Sequence, residues 1–184
     1  AHLQIGTHVS YVGNHRGVLI AQGTKDSIIT FTSASNNPEP GSWNGIFFHK
    51  LGTGAFHNCS VKYGGGTYGN ITSSSTILTM DSCSIDSSST NGITVTNSSA
   101  VLTLQNSTLN GNRGYPIKVH PNVDISQVLG NAATNNDSGN CCFLTNGAIR
   151  ANRIWPGANR LDYKVAGDVI VYNSITEANT LTIR

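Results

Sequence analysis

Apolar and polar positions along the chain recur with a fixed period of 24 residues. Cys59 lies 24 residues before Cys83, which lies 24 residues before Ser107. Apolar columns keep the same step, and they comprise Phe56, Met80, Leu104 and Val128; Val61, Ile85 and Leu109; Ile71, Val95, Val119 and Phe143; and Ile77, Val101, Ile125 and Ile149. A period of this length is typical of a solenoid, in which each repeat buries its apolar face only by stacking on its neighbours.

Short segments of alternating apolar and polar residues predict the strands within each repeat. They are rich in β-branched residues, as in GVLIAQGT, SIITFTS, STILTM and AVLTL. Turn residues separate them, as in GGG at 64–66 and NGN at 110–112. About three short strands per repeat predict an all-β fold, a parallel β-helix. Seven to eight coils would stack to roughly 35 Å at about 4.8 Å per coil.

Two stretches depart from the period, and we predict that both are surface loops. Residues 33–42 read SASNNPEPGS, and residues 152–162 read NRIWPGANRLD, in which Trp155 is expected to pack the excursion down. We therefore predict one domain over 1–184 with loops at 33–42 and 152–162. Insertions that leave a solenoid coil are frequent binding surfaces.

The composition limits the kinds of binding partner and the cellular location that we predict for this protein. The formal net charge is +2 and the sequence has no basic cluster, so we predict no nucleic-acid partner. No apolar stretch is long enough to span a bilayer, and we predict no membrane span. The chain opens in a strand-like pattern, as a mature product would after signal cleavage, which favours a secreted protein.

The cysteines leave two alternatives open. Cys59 and Cys83 occupy equal positions of adjacent coils, and a spacing of about 4.8 Å between coils is compatible with a disulfide. A pair of buried free thiols fits equally well. Cys141 and Cys142 are neighbours in sequence, and we expect one of them to be buried and the other exposed.

Asparagine-x-Ser/Thr motifs make five candidate glycosylation sites in a secreted chain. They are Asn58, Asn70, Asn97, Asn106 and Asn136. The alternative is that asparagine serves the tight bends of the solenoid, because its side chain tolerates left-handed backbone.

No arrangement of reactive side chains predicts an enzyme, and we predict no catalytic, cofactor-binding or metal site. Glycan-cleaving β-helices need clustered carboxylates. None of the nine acidic residues stacks on another in adjacent coils; they are Asp26, Glu39, Asp81, Asp86, Asp124, Asp137, Asp162, Asp168 and Glu177. The six histidines show no metal-binding spacing. Short Thr-x-Thr runs at 94–96 and 180–182 leave ice binding as a further alternative.

Three motifs resemble those of secreted and cell-surface right-handed parallel β-helix proteins with adhesin-like modules. They are ITFTSASNNPEPGSWNGIFF at 29–48, GNRGYPIKV followed by GNAATNN at 111–136, and YKVAGDVIVYNSITEANTLTIR at 163–184. The resemblance covers nearly the whole chain. It implies a single right-handed β-helix in an extracellular or cell-surface setting, and it implies no particular activity.

The same resemblance suggests an assembly. The chain looks like one module cut at its natural junction, so that each end offers what the other lacks, and neither end shows a polar cap. We predict a secreted structural subunit that stacks head to tail with copies of itself into a filament or sheath. The predicted interface comprises Leu3, Ile5, Val9, Val169, Val171, Leu181 and Ile183. The alternatives are an adhesin module that binds surface glycans through the 33–42 loop, and a polysaccharide lyase or hydrolase.

Overall fold

The protein is a stack of β-coils in which nearly every strand pairs in parallel with a strand of the next coil. A computed structural model describes residues 3–5, 16–66, 68–75, 77–157, 161–172 and 178–184. The longest sheet has seven strands, here called the long sheet: β1 (Leu3–Ile5), β4 (Ile46–Phe48), β7 (Ile71–Ser73), β10 (Ile93–Val95), β13 (Ile117–Val119), β16 (Cys141–Leu144) and β19 (Asp162–Val165).

Two further sheets complete the first five coils. The second sheet contains β2 (Gly17–Gln22), β5 (Gly52–His57), β8 (Ile77–Asp81), β11 (Val101–Gln105) and β14 (Asp124–Leu129). The third sheet contains β3 (Ile29–Phe31), β6 (Cys59–Lys62), β9 (Ser84–Asp86), β12 (Thr108–Asn110) and β15 (Ala132–Thr134). The coils therefore have three sides, as the sequence predicts.

The last two coils change shape. Their remaining strands form two separate pairs, β17 (Gly147–Ile149) with β20 (Val169–Val171) and β18 (Arg153–Trp155) with β21 (Leu181–Ile183). The sequence predicts a surface loop over 152–162, whereas its first part is strand β18 and Trp155 is buried. The other predicted loop, 33–42, lies between β3 and β4 and contains no strand.

The core confirms two of the 24-residue columns. Phe56, Met80, Leu104 and Val128 pair in register and are buried, as do Val61, Ile85 and Leu109. The column predicted from Ile71 is wrong, because Ile71 pairs with Ile93 and not with Val95. The column predicted from Ile77 is also broken, since Val101 pairs with Asp124.

Buried amide side chains bond one coil to the next. Asn112 is fully buried, and its Oδ1 accepts a hydrogen bond from the Ser88 N–H at 3.0 Å while its Nδ2 donates to Asn136 Oδ1 at 2.9 Å. Asn131 likewise accepts from the Ser107 N–H at 3.0 Å. These bonds satisfy backbone groups at the coil bends, which would otherwise be buried without partners.

Candidate functional site

Three apolar side chains of the last coil continue columns that are buried one coil below. They are Val165, Val171 and Ile183, and their exposed fractions are 43%, 40% and 62%. Their ladder partners are Leu144, Ile149 and Trp155, which are 0%, 0% and 4% exposed. Since paired residues of a parallel ladder lie on the same side of the sheet, the last coil presents a cross-section of the core to solvent.

The backbone of the last coil is open as well. Each of its strands, β19, β20 and β21, pairs with one strand only among the described residues. The free edge of each strand carries N–H and C=O groups that are ready to pair with a further strand. The last coil therefore offers both apolar side chains and an unpaired parallel edge.

The first coil offers the matching edges. Strands β1, β2 and β3 each pair on one side within the described part of the chain. Leu3 and Ile5 lie in register with Ile46 and Phe48, both of which are buried. Val9, the remaining residue predicted for this interface, lies outside the described residues.

The structure brings the other predicted interface residues together on the last coil. Val169 and Leu181 are half-buried, and Val171 and Ile183 are exposed. Val165 also lies on the last coil but is not among the residues that the sequence predicts for the interface. Its position in the long sheet, one coil beyond Leu144, could not be read from the repeat because the spacing between these coils is irregular.

Comparison with known proteins shows to which protein family this chain belongs. A family model described as "Right handed beta helix region" matches residues 5–133, well over half of the chain. The chain belongs to the right-handed β-helix family. No curated protein matches this β-helix, and neither does any solved structure. The fold of the family occurs in lyases and hydrolases as well as in proteins without enzymatic activity, so membership does not assign an activity.

Several histidine and acidic side chains lie on the surface of the β-helix, whereas the cysteines are buried. Among the described residues, no three His, Cys, Asp or Glu side chains come together as metal ligands. His57 Nδ1 lies 3.1 Å from Asp81 Oδ2 on the outside of the second sheet. Burial raises the pKa of Asp86, and the nearby Lys62 opposes this shift. His2, His8 and His15 lie outside the described residues. No helix in the described part of the chain has the length and apolarity needed to cross a membrane.

All four cysteines are buried free thiols in the structure. Ser60 pairs with Ser84, so Cys59 lies directly below Cys83, and the Cys83 thiol donates a hydrogen bond to the Asp81 carbonyl at 3.2 Å. Burial raises the pKa of Cys83 to about 11 and that of Cys142 to about 12. The expectation that either Cys141 or Cys142 is exposed is wrong, because the strand that contains them is covered on both faces.

The five glycosylation motifs differ in accessibility. Asn70 and Asn136 are buried, and their Nδ2 groups donate to backbone carbonyls inside the coil. Asn106 is exposed, with its Nδ2 2.9 Å from Asp81 Oδ1. Asn58 and Asn97 are half-buried at bends. A glycan on Asn70 or Asn136 would have to replace bonds that hold the coil, whereas Asn106 is the most accessible of the five.

Two other surfaces are relevant to the alternative functions, which are glycan binding through the 33–42 loop and ice binding. The 33–42 loop is held against the coil, since the Gly41 N–H donates to the Gly64 carbonyl at 3.0 Å and the Trp43 indole donates to the Lys62 carbonyl at 2.8 Å. The outer face of the second sheet carries exposed aliphatic side chains. They are Val18, Ile20, Ile77 and Val101, with Thr79 and Thr103 paired beside them.

Proposed function

We propose that this β-helix is an extracellular structural subunit that stacks end to end with copies of itself. In this arrangement the last coil of one molecule lies on the first coil of the next. The observation that carries the proposal is the uncovered core on the last coil, where Val165, Val171 and Ile183 remain exposed although their partners one coil below are buried. The resemblance to secreted β-helix modules supports the extracellular setting.

The interactions available to the proposed joint are comparable in free energy to the cost of association. The free strands of the last coil contain ten residues, which allows about ten ladder hydrogen bonds at a net ~0.5–1.5 kcal/mol each. Covering the three half-exposed side chains adds roughly 1 kcal/mol each, because fully burying such a side chain is worth about 1.5–3 kcal/mol. The total, roughly 8–18 kcal/mol, overlaps the estimated association cost of about 4–15 kcal/mol.

The geometry of the joint predicts an open polymer. The two surfaces are different, so the contact is heterologous, and a heterologous contact that does not close on itself produces a filament. Seven strands in the long sheet give one subunit an axial length of about 34 Å at ~4.8 Å per coil.

Electron microscopy and sedimentation velocity of the purified protein test this proposal. We expect fibres from the native sequence. Combining Val171→Lys with Ile183→Lys should abolish them while leaving the folding transition in place, because these changes put charges on the uncovered core. Ile77→Lys is the matched control: it replaces a similarly exposed aliphatic residue, on the side of the solenoid, and should leave fibres intact. A native protein that stays monomeric at every concentration would refute the proposal.

The same open ends favour a second candidate, a module within a row of β-helix coils of a longer surface adhesin. The coil that covers Val171 and Ile183 would then come from the same polypeptide. The intact mass of the native material separates the two proposals: a mass equal to that of this chain supports the filament, and a much larger mass supports the module.

A further inference from the structure

The turn between the long sheet and the second sheet widens abruptly near the end of the solenoid. Between β13 and β14 the turn spans 120–123, whereas the equivalent turn after β16 spans 145–152 and contains strand β17. Strand β17 pairs with β20 alone among the described residues. The widened coil therefore projects beyond the coil below it.

A cleft of about 230 Å³ lies at this step. Residues from three successive coils line it: Ser98, His120, Asn122, Ala148 and Arg150. Asn122 ties the coils together, since its Nδ2 donates to the Ser98 carbonyl at 2.9 Å and its Oδ1 accepts from the Arg150 N–H. The cleft is thus a built feature of the coil stack, with a mainly polar lining.

The charge on the cleft is positive. The Arg150 guanidinium lies 5.8 Å from the ring centroid of Tyr172, and within the described chain it has no hydrogen-bond acceptor and no carboxylate within ion-pair distance. Arg153 adds a second cation beside the cleft, because its Nε donates to the Asn122 carbonyl at 2.6 Å. An unpaired guanidinium is suited to a bidentate oxyanion partner.

His120 lines the cleft, and its Nε2 packs against the backbone of Gly147. Its Nδ1 accepts from the Asn122 N–H at 3.1 Å, so the neutral ring carries its proton on Nε2, which has no hydrogen-bond partner among the described residues. A Cβ on Gly147 would lie 2.3 Å from Nε2, so the ring packs where only glycine leaves room. Burial, with a smaller contribution from Arg150, lowers the pKa of His120 and favours this neutral form.

We propose that this cleft binds a small carboxylate. In this site Arg150 pairs with the carboxylate, and the Ser98 and His120 side chains line the rest of the cleft. The site is independent of the two ends of the solenoid and of the 33–42 loop.

Titration calorimetry and amide NMR with glucuronate, glucose and inorganic phosphate test the proposal on the full chain. We expect saturable binding of glucuronate, with shifts confined to the cleft and to the His120 Nε2 resonance, and no binding of glucose. Arg150→Gln should weaken glucuronate binding roughly tenfold or more, as expected for a charged hydrogen-bond pair. Arg113→Gln, an exposed arginine on another turn, is the matched control and should bind as the native protein does.

Three results would overturn the proposal. They are no saturable glucuronate binding at millimolar concentrations, equal binding of glucose, and equal losses in the Arg150 and Arg113 variants. Tighter binding of phosphate than of glucuronate would also overturn it, since the site would then prefer an inorganic anion to a carboxylate.

Discussion

Replacing Asn112 by alanine removes a fully buried amide that bonds neighbouring coils of the solenoid. Its Oδ1 accepts from the Ser88 N–H at 3.0 Å, and its Nδ2 donates to the Ile85 carbonyl at 3.2 Å and to Asn136 Oδ1 at 2.9 Å. Ser88 and Asn112 are both fully buried, so water does not replace the lost partner of the Ser88 N–H without opening the coil. The change therefore leaves a buried donor unsatisfied.

The magnitude follows from these bonds. A buried donor left without a partner costs about 1–3 kcal/mol, and each ordinary hydrogen bond lost costs about 0.5–1.5 kcal/mol net. We expect Asn112→Ala to lower the free energy of unfolding by about 3 kcal/mol, and the melting temperature by roughly 6–12 °C for a chain of this length.

Denaturant and thermal unfolding, followed by circular dichroism, measure the effect. Asn36→Ala is the matched control, because Asn36 lies exposed in the 33–42 loop, and it should change stability by less than about 0.5 kcal/mol. Equal stability of the two variants would refute the reasoning that buried amides hold successive coils together.

Other changes test the packing and the thiols. Gly54→Ala should destabilise the protein by about 1–3 kcal/mol, because a Cβ there lies 2.6 Å from Phe48 Cζ, while Gly167→Ala, whose nearest contact is 3.4 Å away, should be nearly neutral in the same melts. Iodoacetamide should label Cys142 very slowly in the native protein at pH 8, and it should label all four cysteines after denaturation without reductant. If peptide mapping finds Cys59 and Cys83 unlabelled, these two residues form a disulfide. Folding raises the pKa of Cys83 to about 11 and that of Cys142 to about 12, so the folded protein holds both thiol protons more tightly than the unfolded chain does. The free energy of unfolding should therefore fall as the pH rises above about 9, and Cys142→Ala should reduce that fall.

The repeat predicts the fold well where the turns have constant length. The 24-residue step holds from β6 to β15 in the third sheet, where Ser60 pairs with Ser84, and from Phe56 to Val128 in the second sheet. It fails at the first coil, where Ala21 pairs with Phe56 and Ile29 with Cys59. It fails in the long sheet, where Ile71 pairs with Ile93 and Ile117 with Cys142, because the turns flanking that sheet gain or lose residues. A slip of this kind cannot be read from one sequence, since several registers place an apolar residue inward.

The candidate sites differ in how far the sequence reveals them. The end residues Val171 and Ile183 follow from alternation in the last strands, although only the structure shows that their columns are buried one coil below. The cleft at His120 and Arg150 has no sequence signal. The two residues lie in successive coils, and both line the cleft because the coil that contains Arg150 widens after β16.

Electron cryo-microscopy of the purified native protein tests the central claim most directly. We predict filaments in which the strand spacing of about 4.8 Å continues without interruption across the joints, with a subunit repeat near 34 Å for seven coils. Discrete particles of a single chain, at concentrations well above those of the sedimentation experiments, would contradict it. So would filaments in which the first and last coils remain in contact with solvent.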